Sequence, residues 1–170
     1  MSVKHPIIAI TGSSGAGTTS VTRTFENIFR REKVTAAIIE GDSFHRYDRL
    51  EMRKKAAEAE KQGDKHFSHF GPTTNLFPEL EQLFKSYGET GTGRRRKYLH
   101  DDEEAAPYKQ SPGTFTPWED VPSGTDLLFY EGLHGAVVTP EVNIAKHPDL
   151  LIGVVDRKST RLNSSHMSES

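Results

Sequence analysis

A glycine-rich segment near the N-terminus has the residue types and spacing of a phosphate-binding loop. Residues 10–20 read ITGSSGAGTTS, and such loops follow the pattern G-x-x-x-x-G-K-[ST]. Glycines let backbone N–H groups approach phosphates closely at the start of a helix. A glycine-rich turn without a ligand is the alternative. We predict a nucleotide site formed by Gly12, Ser13, Ser14, Gly15, Ala16, Gly17, Thr18, Thr19 and Ser20.

Thr18 stands where the loop pattern has lysine, whereas Thr19 supplies the hydroxyl that usually binds Mg²⁺. A charge-assisted hydrogen bond contributes about 1.5–3 kcal/mol, so phosphoryl transfer without that cation would be slow. We therefore expect another part of the protein to supply the positive charge.

A second group of chemically competent residues lies in IIEGDSFHRYDRLEMR, residues 38–53. Asp42 follows an apolar run, at the end of a strand where open α/β sheets place their ligands, and its carboxylate could accept the proton of an attacking hydroxyl. His45, Arg49 and Arg53 are spaced by four residues, which predicts one cationic helix face. Such a stripe beside a base favours an acceptor that bears a phosphate, and a solvated helix face is the alternative.

An acid also ends the apolar run in LLFYEGLHG, residues 127–135. An acid in this position commonly accompanies a phosphate-binding loop and holds Mg²⁺ or its waters. We therefore predict Asp42 and Glu131 as catalytic residues, and Thr19 and Glu131 as Mg²⁺ ligands.

The elements that must position these residues follow from hydrophobic spacing. Short apolar runs predict buried strands at 6–11, 35–40, 126–132 and 149–155. Helical spacing or alanine-rich composition predicts helices at 19–31, 48–62 and 76–87. The order of strands and helices implies an α/β fold of three layers, with a mostly parallel sheet and helices on both faces.

The segment 88–125 is rich in glycine, proline and charge, and we expect a loop or hairpin excursion there. Within it, GRRRKYLHDD could, as a strand, place Arg94, Arg96, Tyr98 and His100 on one face. A solvated or subunit-facing basic patch is the alternative.

Composition narrows the functional classes. The net charge of −2 over 170 residues argues against a general nucleic-acid binder, and the absence of cysteine excludes disulfides and zinc–thiolate sites. The first residues, MSVKHPIIAITG, contain no long apolar run, so we expect no signal peptide or membrane span. A soluble cytoplasmic protein is the resulting expectation.

The last residues, DRKSTRLNSSHMSES, are almost free of apolar side chains and follow the final predicted strand abruptly. We expect residues 1–155 to form one domain, and residues 156–170 to be a foreign tail from a translated adapter or a natural disordered tail.

Four segments together resemble the N-terminal part of the bacterial phosphoribulokinase family, in register over residues 1–155: HPIIAITGSSGAGTTS, IEGDSFHRYDR, GETGTGRRRKYLHDDEEA and LLFYEGLHGAVV. The resemblance implies a P-loop kinase fold of the phosphoribulokinase/uridine kinase-like type, truncated at the C-terminus. It implies the phosphorylation of ribulose 5-phosphate by MgATP to ribulose 1,5-bisphosphate, the CO₂ acceptor of the Calvin cycle.

The resemblance also implies roles for residues. It makes Asp42 the general base and Glu131 the acid associated with Mg²⁺. It implies a substrate-binding set of His45, Arg49, Arg53, Tyr98 and His100, with Arg53 in a place where close relatives have lysine. A threonine at the lysine place of the loop and the absence of cysteine fit the bacterial branch, which resembles an octamer activated by NADH, so we expect a homo-oligomer at full length.

The sequence differs from the family pattern in one important respect, and two other functions are alternatives to the one that the resemblance implies. The family's later lysine and arginines have no counterpart here, so we expect an inactive or weakly active fragment. A uridine kinase-like enzyme is one alternative, although the cationic stripe favours a phosphosugar over a nucleoside. A non-catalytic nucleotide-binding or subunit-interaction fragment is the other.

Overall fold

The structure, a computed structural model, describes residues 4–13 and 15–155. Its strands are β1 (Ile7–Gly12), β2 (Ala36–Glu40), β3 (Arg94–Arg95), β4 (Glu119–Asp120), β5 (Leu127–Gly132) and β6 (Leu150–Val154). Its α-helices are α1 (Thr18–Glu32), α2 (Arg49–Lys61), α3 (Phe77–Thr90) and α4 (Asp102–Ala105). Short 3₁₀ turns occupy Gly41–Phe44, Ala106–Tyr108 and Ile144–Lys146. The tail expected at 156–170 lies outside the described residues.

The main sheet is parallel and has the strand order β2–β5–β1–β6. Glu131 of β5 is in register with Ile10 of β1 on one side and Glu40 of β2 on the other. The carboxyl ends of these strands therefore lie side by side. The predicted α/β fold with a mostly parallel sheet is confirmed, and each predicted main-sheet strand lies within one residue of the observed bounds.

Helices cover both faces of the sheet because successive side chains of β5 point to opposite sides. Phe129 faces α1, where its ring lies 5.3 Å from Phe25 and 5.4 Å from Phe29 between centroids. Tyr130 faces α3, with its ring 5.4 Å from Phe84. The two apolar layers that result are separate clusters on either side of the sheet. This arrangement gives the three layers that were predicted.

Helix α2 corrects the prediction of one cationic helix face. Asp48 caps its N-terminus, since the Asp48 carboxylate accepts from Glu51 N while the Glu51 carboxylate accepts from Asp48 N. This capping box starts the helix at Arg49, and His45 lies before it in an extended conformation. The prediction that His45, Arg49 and Arg53 share one helix face was therefore wrong.

The excursion between α3 and β5 is a hairpin-like layer, as expected. Strands β3 and β4 pair antiparallel, and Tyr98 forms a further isolated bridge with Phe115. The strand ends at Arg95, so a continuous strand through Tyr98 and His100 does not form. Over residues 4–13 and 15–155, no helix is long and apolar enough to cross a bilayer.

Candidate active site

The segment between β1 and α1 has the backbone geometry of an anion-binding loop. Gly15 and Gly17 have φ angles of 82° and 97°, in the left-handed region that favours glycine. A Cβ at either position would meet no atom within 4 Å, so the loop is open on that side. No side chain caps α1 at Gly17, so the helix N-terminus remains available to a phosphate. The described part of the loop thus fits a nucleotide phosphate, and Ser14 lies outside it.

Gly12 explains how the loop packs so closely on the sheet. A Cβ at Gly12 would lie 2.7 Å from the backbone oxygen of Val154 in β6 and 3.0 Å from the methyl group of Thr18. Any larger residue would force β1 and β6 apart. The Thr18 side chain therefore packs against the base of the loop.

Glu131 lies half-buried at the carboxyl edge of the sheet, between the strand that leads into the loop and the strand that leads to Asp42. The Thr11 hydroxyl donates to the backbone oxygen of Leu133 at 2.9 Å, which fixes the segment after β5 to the end of β1. Among the described residues, no group of three or more His, Asp or Glu side chains could hold a metal ion. A hydroxyl and one acid beside nucleotide phosphates are nevertheless the usual surroundings of Mg²⁺.

Asp42 is held between two imidazole rings. It lies in the 3₁₀ turn directly after β2, where Nε2 of His100 is 3.1 Å from Oδ2 and Nε2 of His45 is 3.4 Å from Oδ1. Hydrogen bonds from His100 and then His45 keep the pKa of Asp42 far below its usual range, although burial opposes this. Asp42 is therefore a carboxylate at every physiological pH.

His100 lies between two carboxylates. Its Nδ1 is 3.0 Å from Oε2 of Glu104, and its Nε2 contacts Asp42. Asp101 accepts from the backbone N–H of Glu104 at the start of α4, and the Glu104 carboxylate also accepts from the backbone N–H of His100. The hydrogen bond to Asp42 is the largest contribution that raises the pKa of His100 to about 9. The ring is therefore an imidazolium at neutral pH.

Arg96 fixes the backbone of the turn that carries Asp42. Its Nε donates to Ser43 O at 2.8 Å, and its terminal nitrogen donates to His45 O at 2.6 Å. The guanidinium lies 3.7 Å from the centroid of the Phe115 ring and 4.7 Å from that of Trp118. Burial lowers the pKa of Arg96 to about 10, so the group keeps its charge at neutral pH.

A cavity of about 380 Å³ is lined by Asp42 and by four of the five predicted substrate-binding residues, and the fifth, His100, contacts Asp42. Arg49 is positioned there by a hydrogen bond from its guanidinium to His100 O at 2.8 Å, with the guanidinium carbon 5.9 Å from the Tyr98 ring centroid. His45, which precedes α2, and Arg49 and Arg53, which lie in α2, thus line the same cavity although they do not share one helix face. The residues that line the cavity include Asp42, His45, Arg49, Arg53, His69 and Tyr98.

The structure therefore brings the predicted residues into two neighbouring groups, the loop with Glu131 and the cavity with Asp42. Their roles in binding and catalysis stay predictions. Two supporting residues were not predicted: Asn75, which contacts His45, and Glu104, which contacts His100. Arg96 was named only as part of a possible basic face, and its contacts with the Asp42 turn were not predicted. Glu104 had a local signal, because DDEE at 101–104 is typical of a capped helix start.

The comparison with protein families decides the identity of this fold. The model of the phosphoribulokinase / uridine kinase family matches residues 7–165. The chain belongs to this family. Within the family, the chain is 72% identical over 155 residues to "Phosphoribulokinase, chromosomal" of Cupriavidus necator, an alignment that covers 91% of this chain and 53% of that protein. It is 68% identical over 152 residues to the phosphoribulokinase of Nitrobacter vulgaris, covering 89% and 52%.

A solved structure of the family has the same fold. The phosphoribulokinase from Rhodobacter spheroides superposes with a TM-score of 0.80 at 53% identity, covering 89% of this chain and 51% of that one. The chain spans about half the length of the curated relatives it matches. The predicted family and fold are confirmed.

Proposed function

We propose that this chain carries the nucleotide loop and the acceptor site of a kinase that phosphorylates ribulose 5-phosphate with ATP, giving ribulose 1,5-bisphosphate for the Calvin cycle. Relatives named phosphoribulokinase at 72% and 68% identity support this reaction. The observation that carries the proposal is Asp42, a carboxylate held by two imidazoles beside a cavity that Arg49 and Arg53 line. A base surrounded by cations suits an acceptor that has both a hydroxyl and a phosphate.

Asp42 acts in this proposal as the base for the sugar hydroxyl. Its low pKa makes it a weak base while His45 and His100 contact it, so the incoming hydroxyl must replace one of these partners. Phosphoryl transfer passes through a loose transition state, in which the nucleophile becomes acidic only late. The position of the Asp42 carboxylate therefore matters more than its basicity. The hydrogen bonds from Arg96 to Ser43 O and His45 O hold the turn that carries Asp42 in place.

The phosphate of the acceptor is bound in this proposal by the cationic side of the cavity. Arg49 and Arg53 offer planar guanidinium groups that match phosphate oxygens, and both are exposed to solvent in the cavity. His45 and His100 add donors next to Asp42, and Tyr98 lines the cavity beside them. The sugar would then lie between these cations and the base.

The loop after β1 would hold the phosphates of ATP, with Thr19 and Glu131 as the protein ligands of Mg²⁺. Bound Mg²⁺ supplies electrostatic stabilisation of the charge that develops on the transferred group. Backbone N–H groups at the start of α1 orient the nucleotide phosphates toward the sheet edge, where Asp42 lies two strands away from the loop. Together these residues fix donor and acceptor at one edge of the sheet.

Thr18 cannot provide the cation that the loop pattern normally contains. We attribute that role to the part of the relatives that this chain does not span, which makes the chain alone a weak or inactive kinase. The homo-oligomer and the cytoplasmic location stay predictions.

A comparison of ribulose 5-phosphate and uridine as phosphoryl acceptors tests this proposal. Residues 1–155 are joined to the part of the Cupriavidus necator phosphoribulokinase beyond the matched region, and this product is called the extended protein. We expect the extended protein to phosphorylate ribulose 5-phosphate and not uridine, and the 170-residue chain to bind MgATP with negligible turnover. A preference for uridine would favour the uridine kinase-like alternative. Binding of ATP by the extended protein without turnover of either acceptor would favour a non-catalytic fragment.

A further inference from the structure

Asn75 is a buried amide that contacts the acceptor site from behind His45. Asn75 is only 1% exposed to solvent. Its Oδ1 lies 2.8 Å from Nδ1 of His45. Its Nδ2 donates to His69 O at 2.8 Å, to Gly71 O at 2.9 Å and to the Thr74 hydroxyl at 3.2 Å.

These contacts fix which way the amide faces. A rotation that exchanged its oxygen and nitrogen would bring Oδ1 against the carbonyl oxygens of His69 and Gly71, which can only accept hydrogen bonds. The oxygen of Asn75 must therefore face His45. Because an amide oxygen is only an acceptor, Nδ1 of His45 must carry the proton of that 2.8 Å bond.

The backbone holds the two side chains in this arrangement. His45 and Asn75 form an antiparallel bridge, in which Arg46 N donates to Thr74 O at 2.9 Å and Leu76 N donates to Phe44 O at 2.7 Å. Neither residue can shift away from the other without breaking these bonds. The contact is thus a fixed feature of the acceptor site.

Three other groups around His45 contact its second nitrogen, its backbone oxygen or its ring. Asp42 Oδ1 lies 3.4 Å from Nε2, Arg96 donates to the backbone oxygen, and the Tyr98 ring stands edge-on with its centroid 6.4 Å away. Asp42 makes the largest contribution that raises the pKa of His45, and Asn75 adds to it, whereas burial and Arg96 oppose the increase.

We infer that Asn75 is a positioning residue that keeps a proton on Nδ1 of His45, so that Nε2 is the nitrogen that gains or loses a proton beside Asp42. In the neutral ring, Nε2 then offers a lone pair to the acceptor site, and in the imidazolium it offers a donor. The inference rests on the proposed function only for the role of His45 toward substrate. The location of the proton does not depend on catalysis.

Imidazole nitrogen NMR on the full 170-residue chain tests this inference without an activity assay. The chain has 8 histidines, and the signals of His45 are identified by their loss in His45→Gln. Above the midpoint of its titration, wild-type His45 should carry its proton on Nδ1. In Asn75→Leu the proton should move to Nε2, which faces Asp42, and proton affinity should fall about tenfold because one hydrogen bond to the charged ring is lost.

Two matched variants separate this effect from a loosened turn. Asn75→Asp keeps an acceptor for Nδ1, so the proton should stay on Nδ1 with a midpoint no lower than in the wild type. Thr74→Val removes hydroxyl bonds to Ser68 O at 2.7 Å and Gly71 O at 3.1 Å in the same turn, together with the 3.2 Å contact that the hydroxyl accepts from Asn75 Nδ2. The Asn75 amide keeps its bonds to His69 O and Gly71 O, which fix its orientation, so the His45 tautomer should be unchanged.

A wild-type ring protonated on Nε2 would overturn the inference, and so would an unchanged tautomer in Asn75→Leu. A change in Thr74→Val equal to that in Asn75→Leu would do the same. If the variants fail to fold, the tautomer of the wild-type ring decides alone. A failed kinase assay with the expected tautomers would contradict only the proposed function.

Discussion

Arg96→Lys should destabilise the chain strongly, because Arg96 is the group that ties the Asp42 turn to the hairpin layer. Arginine reaches Ser43 O and His45 O with two nitrogens, at 2.8 and 2.6 Å, and lies over the Phe115 ring at 3.7 Å. Lysine keeps the charge but reaches only one of these oxygens. The lost charged hydrogen bond is worth about 1.5–3 kcal/mol and the cation–π contact about 0.5–2 kcal/mol, so we expect a loss of about 3 kcal/mol.

Equilibrium unfolding in denaturant measures this loss, with Arg94→Lys as the matched control. Arg94 is exposed, and within the described part of the chain its guanidinium donates to the backbone oxygen of Trp118 alone, at 3.0 Å, so the same change there should cost less than about 1 kcal/mol. Equal free energies of unfolding for the two variants would refute the account of Arg96 as the anchor of the turn.

Three further predictions concern the site. Glu131→Ala in the extended protein should lower kcat far more than ATP affinity, since Mg²⁺ acts on the transition state, and an unchanged kcat at saturating Mg²⁺ would contradict the assignment. Arg49→Ala should raise KM for ribulose 5-phosphate and leave KM for ATP nearly constant, whereas a joint rise would indicate a structural role. For His100, the pKa of about 9 lies above the unfolded value of about 6.5, so its stabilising effect is complete below pH 6.5 and is lost as the pH rises through 9. The His100 side chain is 42% exposed, so the effect is small. As the pH rises through 9, the difference in free energy of unfolding between wild type and His100→Gln should shrink by about 1 kcal/mol. A difference that stays constant with pH would refute the ion pair.

The fold could be predicted because its strands carry their own local signals. A strand buried on both faces must be apolar along its length, and runs such as IIAIT and LLFY end at the glycine or acid that follows. The loop was predictable for a similar reason, since glycine is strongly favoured in the left-handed conformations found at Gly15 and Gly17.

The cationic helix face shows where spacing alone misleads. A repeat of four residues indicates one helix face only if a helix covers all of it. Asp48 and Glu51 form a capping box that starts α2 after His45, and this D-x-x-E signal is present in the sequence. His45 still reaches the same cavity, because the 3₁₀ turn after β2 places it there.

The roles of Asn75 and Arg96 could not be predicted because their partners are distant in sequence. Asn75 is thirty positions from His45, and an asparagine in a turn-rich segment gives no sign that its amide is buried. Arg96 is one of three consecutive arginines, and only the tertiary structure places it between the Phe115 and Trp118 rings. Long-range packing decides both cases.

The rate of ribulose 1,5-bisphosphate formation by the extended protein and its Asp42→Asn variant tests the central claim most directly. Asparagine preserves the shape of the side chain but cannot accept a proton or pair with the imidazolium of His100. We expect kcat to fall by about 10²–10⁴, the usual contribution of general-base catalysis, while KM for ATP stays nearly constant. A kcat that falls by less than about tenfold would contradict the assignment of Asp42 as the base of the proposed reaction.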